Sequence, residues 1–232
     1  MKKELQTVNG EYLMSQPLEE LNFIVAGLIP QGLHILAGSV KVGKSWLVLW
    51  MCLQIAKGET VWNYETKQGT TLYLCLEDSL GRIQNRLFDI TDDAPNNIHF
   101  ATLAESIDNG LTEQIENFLI LHTDTNLIVI DTLQKVRGVQ KDSNQYANDY
   151  REIGSLKSLA DKHSIAIILV HHMRKMEDDD PMNMISGTTG ITGVVDSSFA
   201  LVVDKQNPKK AVLHCKGRDI DYRKLEIEFE MI

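Results

Sequence analysis

The segment Gly38-Ser39-Val40-Lys41-Val42-Gly43-Lys44-Ser45 restricts the folds open to this chain more than any other feature of its sequence. It lies between a short apolar run, 33–37, and a stretch with helical patterning, 44–57. A glycine-rich turn that joins a strand to a helix lets backbone N–H groups wrap a phosphate, and the helix N-terminus adds its positive dipole. In that setting Lys44 reaches the β- and γ-phosphates of a nucleotide and the Ser45 hydroxyl ligates Mg²⁺. The expected binding set is Gly38, Ser39, Val40, Lys41, Val42, Gly43, Lys44, Ser45 and Trp46, with ATP and Mg²⁺ as cofactors. A flexible glycine turn without a ligand is the competing reading, and the flanking strand and helix weigh against it.

β-rich runs at 33–37, 71–76, 98–102, 127–130 and 165–170 alternate with helical stretches at 44–57, 80–90, 112–122 and 144–163. Their near-continuous apolar character suits strands buried on both faces, so the pattern predicts an α/β fold with a mostly parallel sheet flanked by helices. Beyond residue 195, runs at 199–203, 211–215 and 225–229 are separated by turn signals such as Gln206-Asn207-Pro208. They predict an antiparallel extension of the same sheet. A length of 232 residues with 43% hydrophobic content accommodates one such domain, 23–232, after an N-terminal segment, 1–22. The polar stretches 134–144 and 173–188 both follow apolar strands. They therefore leave the sheet edge where α/β proteins place ligands.

No apolar run approaches the roughly 20 residues needed to cross a bilayer, and the start Met1-Lys2-Lys3 is not followed by the apolar segment of a secretory signal. A cytoplasmic protein without membrane contact is expected. Cys52, Cys75 and Cys215 are widely spaced in apolar surroundings and read as buried thiols. A formal net charge of -9 argues against a surface that is basic throughout, while leaving room for a locally basic channel.

Leu127-Ile128-Val129-Ile130-Asp131-Thr132 is a buried strand ending in a carboxylate, expected to hold Mg²⁺ through water; an Asp capping the following turn is the alternative. Glu77 and Asp78 end another strand, where alternation lets only one face a γ-phosphate. Glu77 is the expected base that orients the attacking water, and Asp78 or Ser79 the expected cap of the next helix, although both acids could be caps. His171 and His172 follow the strand at 165–170 and point to opposite faces, which disfavours joint metal ligation and leaves a phosphate sensor or a satisfied strand end. Lys216 and Arg218 offer two cations on one face, read either as fingers reaching a neighbour's γ-phosphate or as a solvated basic turn pairing with Asp219 or Asp221.

For nucleic acid, the candidates are Lys135, Arg137 and Lys141 in the first polar stretch and Arg174, Lys175, Ser186, Gly187 and Thr188 in the second. Cations and small donors suit a phosphate backbone, whereas Glu177-Asp178-Asp179-Asp180 repels one and stacking aromatics are scarce.

The 38–45 loop, Leu74-Cys75-Leu76-Glu77-Asp78-Ser79, Val129-Ile130-Asp131-Thr132, His171-His172-Met173-Arg174-Lys175, Ile185-Ser186-Gly187-Thr188-Thr189-Gly190 and Gly217-Arg218-Asp219 together resemble the RecA-like ATPases of the RepA type. That family contains plasmid and phage replicative helicases, and the resemblance covers 23–229. It implies a RecA-like core in a homo-oligomer, a hexameric ring with ATP between subunits and single-stranded DNA in the channel. It further implies Lys44, Ser45, Glu77 and Asp131 at the ATP site, His171 or His172 as sensor, Lys216 and Arg218 as trans fingers, and loops ending near Arg137 and Ser186 on DNA. The chain opens near the core, so primase recruitment or loader docking through an extra N-terminal domain is not expected. An ATP-driven DNA motor of a plasmid, phage or mobile element is the leading expectation. An ATP-dependent oligomerisation switch is the alternative. A small-molecule kinase ranks last, because no arginine-rich lid segment is visible.

Overall fold

A computed structural model describes residues 5, 7–18, 21–138, 145–174, 178–185 and 189–229. A short helix α1 (Gly10–Ser15) is capped by Asn9, whose side chain accepts the Tyr12 N–H at 2.8 Å, and it buries none of its residues. Strands β1 (Phe23–Val25) and β2 (Ile29–Pro30) form a small antiparallel ribbon that leads into the main sheet. The main sheet holds β3 (Gly32–Gly38), β4 (Thr70–Cys75), β5 (Ile98–Ala101), β6 (Thr125–Asp131), β7 (Ala166–His172), β8 (Ser197–Val203), β9 (Lys210–Gly217) and β10 (Arg223–Glu228). Their spatial order is β10-β9-β8-β3-β7-β6-β4-β5.

All pairings from β8 to β5 are parallel, and β9 and β10 are added antiparallel. The antiparallel extension expected from the sequence is therefore two strands wide. Its first expected member, β8, instead lies parallel to β3, with Leu36 opposite Phe199. The reason is topological, since β8 returns from β7 through α7 (Thr189–Val194) and so enters the sheet in the direction of the other crossovers.

β3, β6 and β7 are buried along nearly their whole length because helices cover both faces, which is why their sequences do not alternate. One core gathers Leu36, Val129, Val170 and Tyr73 under α2 (Lys44–Lys57), with Ile83 of α3 (Leu80–Ile90) at its margin. The other gathers Ile35, Ile130 and Leu169 under α4 (Leu111–Leu121) and α6 (Gln145–His163). α2 buries residues around most of its circumference, as a central helix must, and each fully buried Leu or Val contributes roughly 1.5–3 kcal/mol. Gly58 ends it in the left-handed region at φ 72°, its N–H returning to the Gln54 and Ile55 carbonyls.

The first polar stretch begins as a turn of helix, α5 (Leu133–Val136), pinned by fully buried Leu133 and Val136. Residues 139–144 lie outside the described residues, as do 175–177 and 186–188 of the second stretch. The three cysteines are free and buried. Among the described residues no helix is long and apolar enough to cross a membrane.

Candidate active site

From β3 the chain crosses to β4 on one side of the sheet, and β8 later fills the other side, so the end of β3 is a point where the winding reverses. Ligands of open α/β sheets settle at such a point. The loop that leaves it, 39–43, is shaped by its own residues: Lys41 has φ 63° and Gly43 φ 91°. A Cβ on Gly38 would meet the Leu201 carbonyl at 3.0 Å, and one on Gly43 would meet the Phe229 ring at 3.2 Å. Phe229 follows β10 and is tied down by its N–H to the Lys209 carbonyl at 2.7 Å.

Lys44 is only 6% exposed, and its Nζ donates to the carbonyls of Gly38 (2.9 Å) and Ser39 (2.8 Å). An ammonium carries three N–H bonds, so one remains for a further acceptor such as a phosphate oxygen. Burial lowers its pKa, while the charges of Asp131 and Glu77 oppose that shift.

Asp131 ends β6 opposite Cys75 and Val170, on the face covered by α2. Its carboxylate accepts from the Ser45 hydroxyl and, at 2.8 Å on Oδ2, from the Tyr73 hydroxyl. Burial raises the carboxyl above its ordinary value; the two hydroxyl donors and Lys44 pull the other way, and Glu77 adds to the rise. A buried carboxylate beside a hydroxyl is a hard-oxygen donor set whose charge a small divalent cation would offset, so Ser45 and Asp131 fit Mg²⁺. Tyr73 is absent from the sequence-derived site. Its only signal is its position two residues before Cys75, which places it on the same face of the sheet.

Past the end of β4, Glu77 and Asp78 diverge. Asp78 bridges Arg82 and Arg86, each at 2.6 Å, and Ser79 caps α3 by accepting the Arg82 N–H at 3.3 Å. Glu77 is exposed, and its Oε1 accepts the Thr132 hydroxyl at 3.2 Å. Trp46 turns toward α3, where the Arg86 guanidinium lies 5.5 Å from its ring centroid. His171 and His172 are the last two residues of β7, inside the strand rather than after it, opposite Ala37 and Gly38. Alternation places His172 with Ile168 and Val170 on the α2 face, and His171 with Ile167 and Leu169 on the other. Only His172 therefore shares a face with Lys44 and Asp131.

Lys216 and Arg218 are not brought to this site within the chain. Arg218 follows β9, and its backbone N–H donates to the Asp196 carbonyl, whose own N–H donates to the Leu33 carbonyl. From Leu33 to Gly38 a parallel strand rises roughly 17 Å, which puts Arg218 near the opposite edge of the sheet. Its side chain is 60% exposed and pairs at 3.6 Å with Asp196 rather than with Asp219 or Asp221. Lys216 is exposed, with Ser198 opposite.

Of the candidate nucleic-acid contacts, Arg137 has a side chain 9% exposed, and its Nε lies 3.5 Å from Glu152 of α6. Lys135 and Arg174 are exposed. Lys141, Lys175, Ser186, Gly187 and Thr188 lie outside the described residues. The acidic run serves its own backbone: Asp180 accepts the Met182 N–H at 3.0 Å and Asp178 the Asp180 N–H at 2.9 Å, capping the 3₁₀ turn Pro181–Met184.

In backbone course the chain is similar to a solved ATPase domain, with a TM-score of 0.64 at 13% identity over 86% of this chain and 81% of that one. It is also similar to a DnaB-like replicative helicase described with its interactions with primase, with a TM-score of 0.72 at 12% identity over 95% of this chain. There it spans 64% of the helicase chain's length. At such identities the likeness establishes the fold alone, a RecA-like α/β core with a mostly parallel sheet flanked by helices. None of the curated proteins matches the sequence. A family model described as an AAA domain matches residues 3–178, most of the core assembled above, and the chain belongs to that family.

Proposed function

We propose that this protein is an ATP-hydrolysing, RecA-like motor of the RepA type that works as a ring, a hexamer by analogy, on single-stranded DNA of a plasmid, phage or mobile element. The observation that carries the reading is the convergence of Lys44, Ser45, Asp131 and Glu77 at one edge of the sheet, with exposed Arg218 near the other edge. A bound Mg²⁺·ATP supplies the electrophilic γ-phosphorus, and the metal spreads its charge.

The backbone N–H groups of 39–45 hold the phosphates, Lys44 contributes its remaining N–H, and Ser45 and Asp131 hold the metal. Glu77 orients a water for in-line attack, and the Thr132 hydroxyl fixes the carboxylate that does so. His172 senses the γ-phosphate from the neighbouring strand. Lys216 and Arg218, unable to reach their own subunit's loop, meet the nucleotide of an adjacent copy.

Steady-state ATP hydrolysis with and without single-stranded DNA, at low and moderate salt, tests the reading, with Lys44→Ala as the silent control. Salt-sensitive stimulation by DNA supports the motor. Turnover indifferent to DNA supports the second reading, an ATP-dependent oligomerisation switch. In that case nucleotide changes the assembly's mass and DNA does not.

A further inference from the structure

Asp196 carries more interactions than a turn residue needs. It immediately precedes β8 with a side chain 7% exposed, and its Oδ2 accepts the Leu33 N–H at 2.8 Å and pairs with Lys157 Nζ at 3.0 Å. Its Oδ1 faces the Arg218 guanidinium at 3.6 Å. Two glycines make room for it. Gly32 sits at φ 122°, where a Cβ would lie 2.3 Å from Asp196 Oδ2, and a Cβ on Gly217 would lie 2.9 Å from the Asp196 carbonyl. Lys157 is held a second time by Asp161 one turn along α6. A buried carboxylate needs partners, and β3 and α6 satisfy Oδ2 without Arg218. The pairing on Oδ1 is therefore additional, and it acts on a guanidinium whose outer part remains in solvent.

The Arg218 Nη2 also donates to the Gly193 carbonyl of α7 at 3.4 Å. A planar guanidinium with contacts at two points is more restricted in plane and direction than an ammonium on a flexible stem. The anchors sit in the bend that enters β8 and in the last turn of α7.

We infer that Asp196 is a positioning residue for trans catalysis, aiming the Arg218 guanidinium out of its own subunit toward the nucleotide of a neighbouring copy. The inference rests on the trans role proposed above for Arg218. A contact that must meet a transferring phosphoryl group tolerates little misplacement, and an error near 1 Å costs about a hundredfold in rate.

Subunit mixing tests it. Asp196→Asn keeps an acceptor for the Leu33 N–H and removes the charge that faces Arg218. Alone it is expected to lose about a hundredfold in kcat with KM for ATP unchanged. Mixed with Lys44→Ala, which has an intact Arg218 and no working loop, it should regain turnover, because junctions form between an intact loop and an intact finger. Arg218→Ala is carried in parallel. If it also regains turnover with Lys44→Ala while Asp196→Asn does not, the trans role stands and the positioning role falls. If Arg218→Ala retains full activity alone, the trans role falls and takes this inference with it. Should Asp196→Asn fail to fold, Lys157→Met decides, since it leaves the carboxylate to Arg218. Near-normal kcat in that variant supports the pair, and a hundredfold loss in a folded protein overturns it by assigning the effect to the whole ionic cluster.

Discussion

The hydroxyl of Thr132 donates to Glu77 Oε1 at 3.2 Å, joining the residue after β6 to the carboxylate after β4. The preceding residue, Asp131, takes the hydroxyls of Ser45 and Tyr73. One strand end thus serves two carboxylates, one in the proposed metal position and one in the proposed water position. Glu77→Gln is expected to keep ATP affinity and lose turnover by roughly 10²–10⁴-fold. Thr132→Val, which removes only the orienting hydrogen bond, is expected to lose about tenfold. Nucleotide titration beside steady-state rates separates the two effects; equal losses of affinity and rate would count against them.

Asp131→Asn should leave the nucleotide-free protein as stable as the wild type or more so. Burial holds the folded carboxyl above its ordinary value, so the native state binds that proton more tightly than the unfolded chain. The ionised form therefore subtracts stability at neutral pH, and the loss fades as pH falls below the folded value. The amide removes the charge and keeps an acceptor for Tyr73. Thermal melts with and without Mg²⁺·ATP are the measurement: a rise of a few degrees without ligand, and no further rise with it, is expected.

Gly32→Ala is expected to be among the most damaging single-methyl changes. The backbone there is at φ 122°, and the added carbon would lie 2.3 Å from Asp196 Oδ2. Strain in that region costs on the order of 1–3 kcal/mol before the clash is counted. Urea unfolding should show a fall in midpoint larger than that of Gly81→Ala, where nothing lies within 4 Å of an added Cβ.

His34 is fully buried beneath Phe199 and shares a 2.7 Å hydrogen bond with the Pro30 carbonyl. Burial lowers its pKa from 6.5 to about 4. The unfolded chain therefore binds the proton first as pH falls, so stability is complete above about pH 6.5 and is lost progressively down to about pH 4. The loss is on the order of 3 kcal/mol. Denaturant unfolding at pH 7 and pH 4.5 should show that loss in the wild type and a much smaller one in His34→Gln, which still donates to Pro30.

Both ends of α2 can be placed from sequence because their causes are local: Gly43 and Gly58 stand at left-handed positions, and the residues between them are apolar enough to be buried all round. The start of α3 is equally plain, since Ser79 is a good cap. What escapes depends on long-range partners. The direction of β8 is set by the crossover that precedes it, and nothing in Ser197-Ser198-Phe199 encodes it. Arg137 looks like an available cation until Glu152, a helix away, withdraws it. Tyr73 and Asp196 look like ordinary strand and turn residues until the register puts them beside Asp131 and Leu33. Residues of the 38–45 loop are legible because the phosphate binding proposed there rests on a contiguous backbone, whereas the groups around it come from separate segments.

The ring of Phe229 against Gly43 and the Leu201 carbonyl against Gly38 also order events in time. The loop is made early in synthesis, and the ring that braces it emerges roughly 190 residues later, on the order of 10–40 s at ribosomal speeds. Through that interval a nascent chain carries the loop without its brace. The loop thus acquires its brace long after the glycines that define it have left the ribosome.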